Sequence, residues 1–235
     1  MTDDPQAIAP ATSDGLTSLF EMLKSGGPVI WPLGLLSLIA VAFAVERAIS
    51  LRTGTIGGAK FGKNVVGAMN AEGAKSALQI CQDAGTAMAR VLYAGLKREE
   101  FPLVERDKAV EDAGLREVRR LSANLRPLLV VAVISPLLGL LGTVWGMILA
   151  FGELANSSGK ADAEALANGI SQALTTTAVG LAIAIPSQAA YYWYRSRIDK
   201  FIRNVEHYYH EISEIMVHGP QEIEPEVKKT EGKKK

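Results

Sequence analysis

Two threonines are the residues best placed to do chemistry in this sequence. Thr143 and Thr177 each lie in a stripe of small residues that follows one face of an uncharged, apolar helix. A threonine hydroxyl can both donate and accept a hydrogen bond, so two of them could hand a proton between water and a carboxylate without ionising. The two stripes are Gly139, Thr143, Gly146 and Ala150, and Ala173, Thr177, Gly180 and Ala184.

Further polar residues crowd around the second threonine. Polar groups in hydrocarbon usually face a bundle interior or a water-filled cavity, which favours an ion pathway. The candidate pathway residues are Thr143, Thr177, Gln172, Thr176, Thr175 and Ser171.

The competing interpretation of the stripes is close helix packing. Small residues let membrane helices approach each other, and a threonine hydroxyl can bond its own helix. Spacing alone favours this interpretation, whereas the crowding of polar side chains favours the pathway. The candidate residues for packing and for contact with a partner helix are Gly139, Gly142, Gly146, Ala150, Ala173, Gly180 and Ala184.

Three stretches of the chain are long and apolar enough to carry these residues across a membrane. A hydrocarbon core of about 30 Å requires about 20 apolar residues as a helix. We therefore predict an all-α membrane protein with three transmembrane helices, at residues 28–51, 127–152 and 165–194. Their uncharged cores contain no Asp, Glu, Lys, Arg or His, and they comprise residues 28–45, 127–152 and 165–194. If protons cross here, a carboxylate on another polypeptide must carry them.

Basic residues in the short flanks predict the orientation, because they favour the cytoplasmic side. We expect segment 1–27 and loop 153–164 outside, and residues 52–126 and 195–235 inside. Both threonines then lie roughly 10 Å below the outer surface, at 1.5 Å of rise per residue. The inner flanks carry Arg47, Arg52, Lys60, Lys63, Arg116, Arg119, Arg120, Arg126, Arg195, Arg197, Lys200 and Arg203, against Lys24 and Lys160 outside.

The segments between and beyond the spans are predicted to be largely helical. An amphipathic helix is expected within residues 1–27, and short helices within 52–126. The second and third helices are expected to extend far into the cytoplasm, the third through residues 195–218. The tail 219–235 is rich in Pro, Glu and Lys and is expected to be disordered.

A basic cluster follows the third span and predicts contact with anionic lipid headgroups or the cytoplasm. The alternative is that these residues set the orientation and nothing more. They are Arg195, Arg197, Lys200 and Arg203.

Several other classes of site lack support in the sequence. Gly57 to Lys63 has the spacing of a phosphate-binding loop, but Asn64 replaces the required Ser or Thr. His207 and His210 lack further metal ligands, and a solvated helix face explains them better. No nucleophile–base constellation is present. We therefore expect no enzyme activity, no catalytic residue, no metal, no cofactor and no nucleic-acid partner.

Two segments carry a resemblance to a known family. The run Pro-Leu-Leu-Gly-Leu-Leu-Gly-Thr-Val-Trp-Gly-Met at 136–147 resembles the second-span motif of the ExbB/TolQ/MotA proton-channel subunits. The run Gly-Ile-Ser-Gln-Ala-Leu-Thr-Thr-Thr-Ala-Val-Gly-Leu at 169–181 resembles their third-span motif. The order of spans and loops is similar to ExbB and TolQ rather than to the four-span MotA.

The resemblance implies a function and a set of partners. It implies a homo-oligomeric ring, pentameric in this family, in the bacterial inner membrane. The ring would surround an ExbD-like single-span protein that supplies a membrane aspartate, and would energise a TonB-like protein for outer-membrane transport. Thr143 and Thr177 match the motif threonines of the proton path, whereas Gln172 stands where ExbB-type members often carry Glu.

Other functions stay open at this point. A TolQ-like motor subunit for envelope maintenance has the same spans, and a non-conducting membrane scaffold would use the stripes for assembly alone. The choice between proton and sodium is open too. A self-contained solute transporter is disfavoured, because the sequence has no pair of broken helices or binding charge.

Overall fold

The computed structural model describes residues 27–156 and 163–220, and these ranges are helical and contain no strand. The predicted N-terminal amphipathic helix, half of the predicted outer loop and the end of the tail lie outside the described residues. The helices are α1 (Ile30–Ser50), α2 (Thr53–Ile56), α3 (Ala59–Glu72), α4 (Ala74–Ala84), α5 (Ala87–Leu96), α6 (Leu103–Ser122), α7 (Arg126–Asn156) and α8 (Ala163–His218), with a 3₁₀ turn at Ala123–Leu125 between α6 and α7.

Three helical runs are long and apolar enough to cross a membrane. They are Ile30–Ser50, Leu103–Ala155 and Leu166–His218. The prediction of an all-α protein with three spans is therefore confirmed, and the chain is a multi-pass membrane protein.

The chain divides into two compact units. The first, which we call the membrane unit, comprises Met1–Ala48 and Asn124–Tyr194. Between 17% and 33% of each apolar window is buried within the chain, so most of each span faces lipid or other polypeptides. Pro136 and Pro186 lie inside α7 and α8, where each removes one backbone hydrogen bond and frees a carbonyl one turn earlier.

The second unit, which we call the charged unit, comprises Ile49–Ala123 and Arg195–Lys235. Its helices α3, α4 and α5 are separated at Gly73 and Gly85, where φ is positive. The Thr86 side chain caps α5 by accepting a hydrogen bond from the Ala89 amide at 3.2 Å. Large side chains fill the core, among them Met88, Leu92, Leu96, Ile198 and Ile212.

Polar groups also fix helices within the charged unit. Arg90 donates two hydrogen bonds of 2.7 Å to the carboxylate of Glu117, which ties α5 to α6. These bonds hold the pKa of Glu117 below its usual range. Cys81 is buried in α4, and burial raises the pKa of its thiol to about 12, so the thiolate is scarce at neutral pH.

Candidate ion pathway in the membrane unit

Helices α7 and α8 meet backbone to backbone at their glycines. A Cβ built on Gly139 would lie 3.0 Å from the Thr177 Cα atom. One built on Gly146 would lie 3.0 Å from the Gly169 carbonyl oxygen, and one on Gly180 would lie 2.6 Å from the Ser135 carbonyl oxygen. Any larger side chain would push the two helices apart at these points, so small residues are required for this approach.

The alanines of both stripes are also enclosed by the protein. Ala150, Ala173 and Ala184 are buried, and a Cβ on Gly169 would lie 2.6 Å from the Ala150 Cβ atom. The stripes therefore face one another within a single chain. This geometry is the one that the packing interpretation describes, and it also determines where the threonines lie.

Thr177 bonds across the helix contact. Its hydroxyl donates to the Gly139 carbonyl at 3.0 Å, and its side chain is half-buried. In an α-helix the carbonyl of residue 139 is also the acceptor for the amide of residue 143. The Thr177 hydroxyl thus reaches the same turn of α7 from which Thr143 projects, as expected for two groups at one depth.

The other two threonine hydroxyls bond within their own helices. Thr143 donates to the Leu140 carbonyl at 2.6 Å and is half-buried. Thr176 donates to the Ala173 carbonyl at 2.8 Å and is 1% exposed. A Cβ on Gly142 would overlap the Thr176 side chain, so Thr176 fills the space between the helices. Each hydroxyl keeps lone pairs that can accept a proton.

Gln172 lies apart from the threonine cluster. Gly27, three residues before α1, has a φ of +68°, and a Cβ on it would overlap the side-chain amide of Gln172. Gln172 therefore faces the beginning of α1, whereas Thr176 and Thr177 face α7. Thr175 is buried and Ser171 is exposed. The six candidate residues thus differ in burial and in the helices that they contact.

A groove between all three spans was not anticipated from the sequence. It has a volume of about 180 Å³ and receives Ser37 from α1 and Ser187 from α8. Its wall includes Ala182, whose carbonyl loses its helical partner because residue 186 is proline. The Tyr194 hydroxyl donates to the Ala44 carbonyl at 2.7 Å and joins α8 to α1. The remaining lining residues are Ala40, Val41, Ala44, Leu128, Ile183, Pro186 and Ala190.

Ser135 is a second feature that sequence reasoning missed. Its side chain is 0% exposed, and its hydroxyl has no hydrogen-bond partner among the described residues. A buried hydroxyl without a partner costs free energy, so such groups often mark functional sites or bound water. Ser135 lies two turns of α7 before Thr143, roughly 12 Å along the helix. The available signal was the Ser-Pro pair within an otherwise apolar span.

The basic cluster after the third span is partly used inside the charged unit. Arg197 donates to the Leu51 carbonyl at 3.1 Å. Arg195 pairs with Asp199 at 3.3 Å on the surface, while Lys200 and Arg203 are exposed. Arg197 therefore has a structural contact that the sequence did not indicate.

The two histidines of α8 lie on its surface. His207 and His210 each lie near a glutamate one turn later, at 3.4 Å and 3.6 Å. Across residues 27–156 and 163–220, no group of three or more potential ligands could hold a metal ion.

Comparison with known protein sequences identifies a family that matches the helices described above. Residues 83–207, which include both threonine stripes, match the MotA/TolQ/ExbB proton channel family. The chain is 31% identical to biopolymer transport protein exbB1 of Vibrio cholerae over 201 residues, which cover 82% of this chain and 86% of that protein. It is 38% identical to putative biopolymer transport protein ExbB-like 1 of Synechocystis over 71% of this chain and 66% of that protein.

TolQ proteins are similar over a shorter region. The Tol-Pal system protein TolQ of Haemophilus influenzae is 42% identical over 84 residues, or 36% of each chain. The range matched by the family, the similarity to ExbB proteins over most of the chain and the three apolar spans agree with one another. This chain therefore belongs to the MotA/TolQ/ExbB proton channel family.

Proposed function

We propose that this chain is an ExbB-type subunit of an ion-driven motor in the bacterial inner membrane. The observation that carries the proposal is the hydrogen bond from Thr177 to the Gly139 carbonyl, because it brings the two threonine stripes to one turn of α7. The uncharged cores of the spans contain no Asp, Glu, Lys, Arg or His, so these hydroxyls need a carboxylate from elsewhere. An ExbD-like partner with a membrane aspartate supplies that group.

The proton transfer follows from what a hydroxyl can do. A hydronium ion on the outer side gives a proton to a threonine oxygen and becomes water, while the proton of that hydroxyl passes to the partner carboxylate. The neutral carboxylic acid then moves along the apolar wall at low cost, since an ionised carboxylate would be expensive there. Loss of the proton on the cytoplasmic side resets the partner. Repeated transfers turn the ring relative to the partner and energise a TonB-like protein.

The exposed faces of the spans support assembly into a ring. Large apolar residues of α7 and α8, among them Leu137, Leu141, Ile148, Leu174 and Ile185, remain exposed in the single chain. We propose that a homo-oligomer, pentameric as in the family, covers part of these faces and encloses the partner helices. The basic flanks support an orientation with the N-terminus in the periplasm and the C-terminus in the cytoplasm.

Threonine-to-valine substitutions test the proposal, because valine keeps the shape and removes the hydroxyl. The Thr143→Val and Thr177→Val variants are expected to express normally, to co-purify with the partner and to lose proton flux in reconstituted vesicles. Thr143→Ser and Thr177→Ser are the matched controls and are expected to retain most of the flux. A double valine variant with wild-type proton flux would show that the stripes serve packing alone.

A TolQ-like role is the second candidate, because TolQ proteins are similar to part of this chain. Both roles use the same proton path, so the valine variants do not separate them. The partner that co-purifies from the native membrane separates the two roles. A TonB-like partner indicates the ExbB-type role, and a Pal-linked partner indicates the TolQ-like role. A non-conducting scaffold is favoured by the intrahelical bonds of Thr143 and Thr176, and the flux measurement tests it.

A further inference from the structure

Arg106 is a buried cation at the end of the charged unit where α6 begins and α8 ends. Its side chain is 6% exposed, and its Nη1 atom lies 2.8 Å from the thioether sulfur of Met216. Its Nε atom is buried and has no hydrogen-bond partner among the described residues. A thioether is a weak acceptor, and a buried charge is costly unless an opposite charge accompanies it. The neighbouring Asp107 instead accepts a hydrogen bond from the Tyr209 hydroxyl at 2.7 Å.

The surface beside Arg106 is apolar and open. Leu103 lies one turn before Arg106 on the same face of α6 and is 44% exposed. Val217, next to Met216 at the end of α8, is also exposed. We call Leu103, Arg106 and Met216 the docking site. An adjoining groove of about 250 Å³ carries the cations Arg98, Lys108 and Arg116 with the acids Glu105 and Asp112, and its remaining lining residue is Ala109.

The chain turns at the end of α8. Gly219 has a φ of +84°, and its amide donates to the Ile215 carbonyl at 2.9 Å. A glycine cap of this kind ends the helix and redirects the chain that follows. Six residues of alternating character come next: Glu222, Ile223, Glu224, Pro225, Glu226 and Val227.

We propose that this segment, residues 222–227, docks on the docking site of its own chain. Residue 222 follows the end of α8 by few enough residues that the chain between them spans about 13 Å at most. One glutamate carboxylate then pairs with Arg106, and the side chain of Ile223 covers Leu103. The pair is stronger here than on an open surface, because Arg106 is already shielded from water. Docking holds the lysine-rich end of the tail at this part of the charged unit.

Disulfide trapping in the full-length protein tests this directly. Cys81→Ala removes the single cysteine of the chain. In that background, Leu103→Cys with Ile223→Cys keeps all three glutamates and is expected to form a bond within one chain under mild oxidation. Leu103→Cys with Thr230→Cys is the matched control, placed beyond the acidic segment, and is expected to react much more slowly. Equal rates for the two pairs, or bonds formed mainly between chains, would overturn the proposal.

Charge removal tests the role of Arg106. Replacing Glu222, Glu224 and Glu226 together by Gln leaves the folded helices intact and is expected to slow the Leu103–Ile223 bond about tenfold, the effect of losing one charge-assisted hydrogen-bonded pair. Arg106→Gln is expected to do the same. In the cysteine-free protein, both changes are expected to speed tryptic cleavage after Lys228. An unchanged rate in the triple-Gln variant would show that charge does not hold the segment.

Discussion

Glycine is used in opposite ways in the two units of this protein. In the membrane unit, Gly139 and Gly146 bring one helix backbone against another. In the charged unit, Gly62 and Gly95 instead make room for the rings of Tyr208 and Tyr209, which a Cβ would contact. The membrane offers no hydrophobic gain for bringing helices together, so close backbone packing must supply the attraction. In the charged unit, removal of a large aromatic ring from water supplies the attraction between helices instead.

The treatment of polar groups differs in the same way. The charged unit satisfies its buried carboxylate Glu117 with the guanidinium of Arg90. The membrane unit uses neutral hydroxyls that donate to backbone carbonyls, as Thr177 does to Gly139. A neutral hydroxyl can stay in hydrocarbon where a charge would be costly, and it retains the capacity to accept a proton. The proposed ion pathway requires this property of an uncharged span.

The largest expected effect comes from filling the glycine contact of the membrane unit. In Gly146→Leu the new Cβ would lie 3.0 Å from the Gly169 carbonyl and 3.1 Å from the Ala173 Cβ atom, so α7 and α8 must separate. Overpacking usually costs about 1–3 kcal/mol, and we expect the free energy of unfolding to fall by about 3 kcal/mol or more. The measurements are a lower melting temperature and loss of the proposed oligomer in detergent.

The control for this change lies on the same helix. Among the described residues, no atom lies within 4 Å of a Cβ built on Gly152, so Gly152→Leu is expected to leave the melting temperature unchanged. If Gly146→Leu melts with the wild-type protein and keeps its oligomer, the glycine contact does not hold the membrane unit together.

The spans and the glycine contact could be predicted from the sequence because both depend on patterns along one helix. An uncharged run of about 20 residues indicates a span by itself, and small residues at helical spacing indicate a packing face. The sequence does not indicate which helix each face packs against. The sequence did not indicate that Gln172 faces Gly27, because that contact joins residues far apart in the chain. The orphan hydroxyl of Ser135 and the groove beside Pro186 likewise depend on how three helices pack together.

A smaller effect is expected from the ion pair of the charged unit. Arg90 keeps the pKa of Glu117 below the usual 4.5 through its hydrogen bonds, so the pair stabilises the fold fully above pH 4.5. That stabilisation is lost as the pH falls below 4.5 through the lowered pKa. Glu117→Gln should therefore reduce stability by about 1 kcal/mol at pH 7, a modest value because Arg90 is partly open to solvent. The difference from wild type should shrink in acid.

Hydrogen exchange of the α5 and α6 amides measures this locally. Glu111→Gln is the matched control, since Glu111 is exposed on the same helix, and it should change the exchange rates little at either pH. A difference between Glu117→Gln and wild type that does not shrink as the pH falls below 4.5 would mean that packing of the side chain, rather than its charge, supports α6.

The smallest effect is expected from Gln172→Glu, which places in the membrane unit the carboxylate often found in ExbB-type relatives. Gln172 lies against Gly27, three residues before α1 begins, and the first amides of a helix attract negative charge. The new carboxylate would therefore gain about 0.5 kcal/mol from the helix terminus, which offsets part of its desolvation. We expect intact assembly and wild-type proton flux, with a melting temperature within a few degrees of wild type. Gln172→Leu, which removes the polar group but keeps the bulk, is the companion variant and should also assemble. Loss of the oligomer in Gln172→Glu alone would place this side chain in a dry contact between chains, where a buried charge cannot be tolerated.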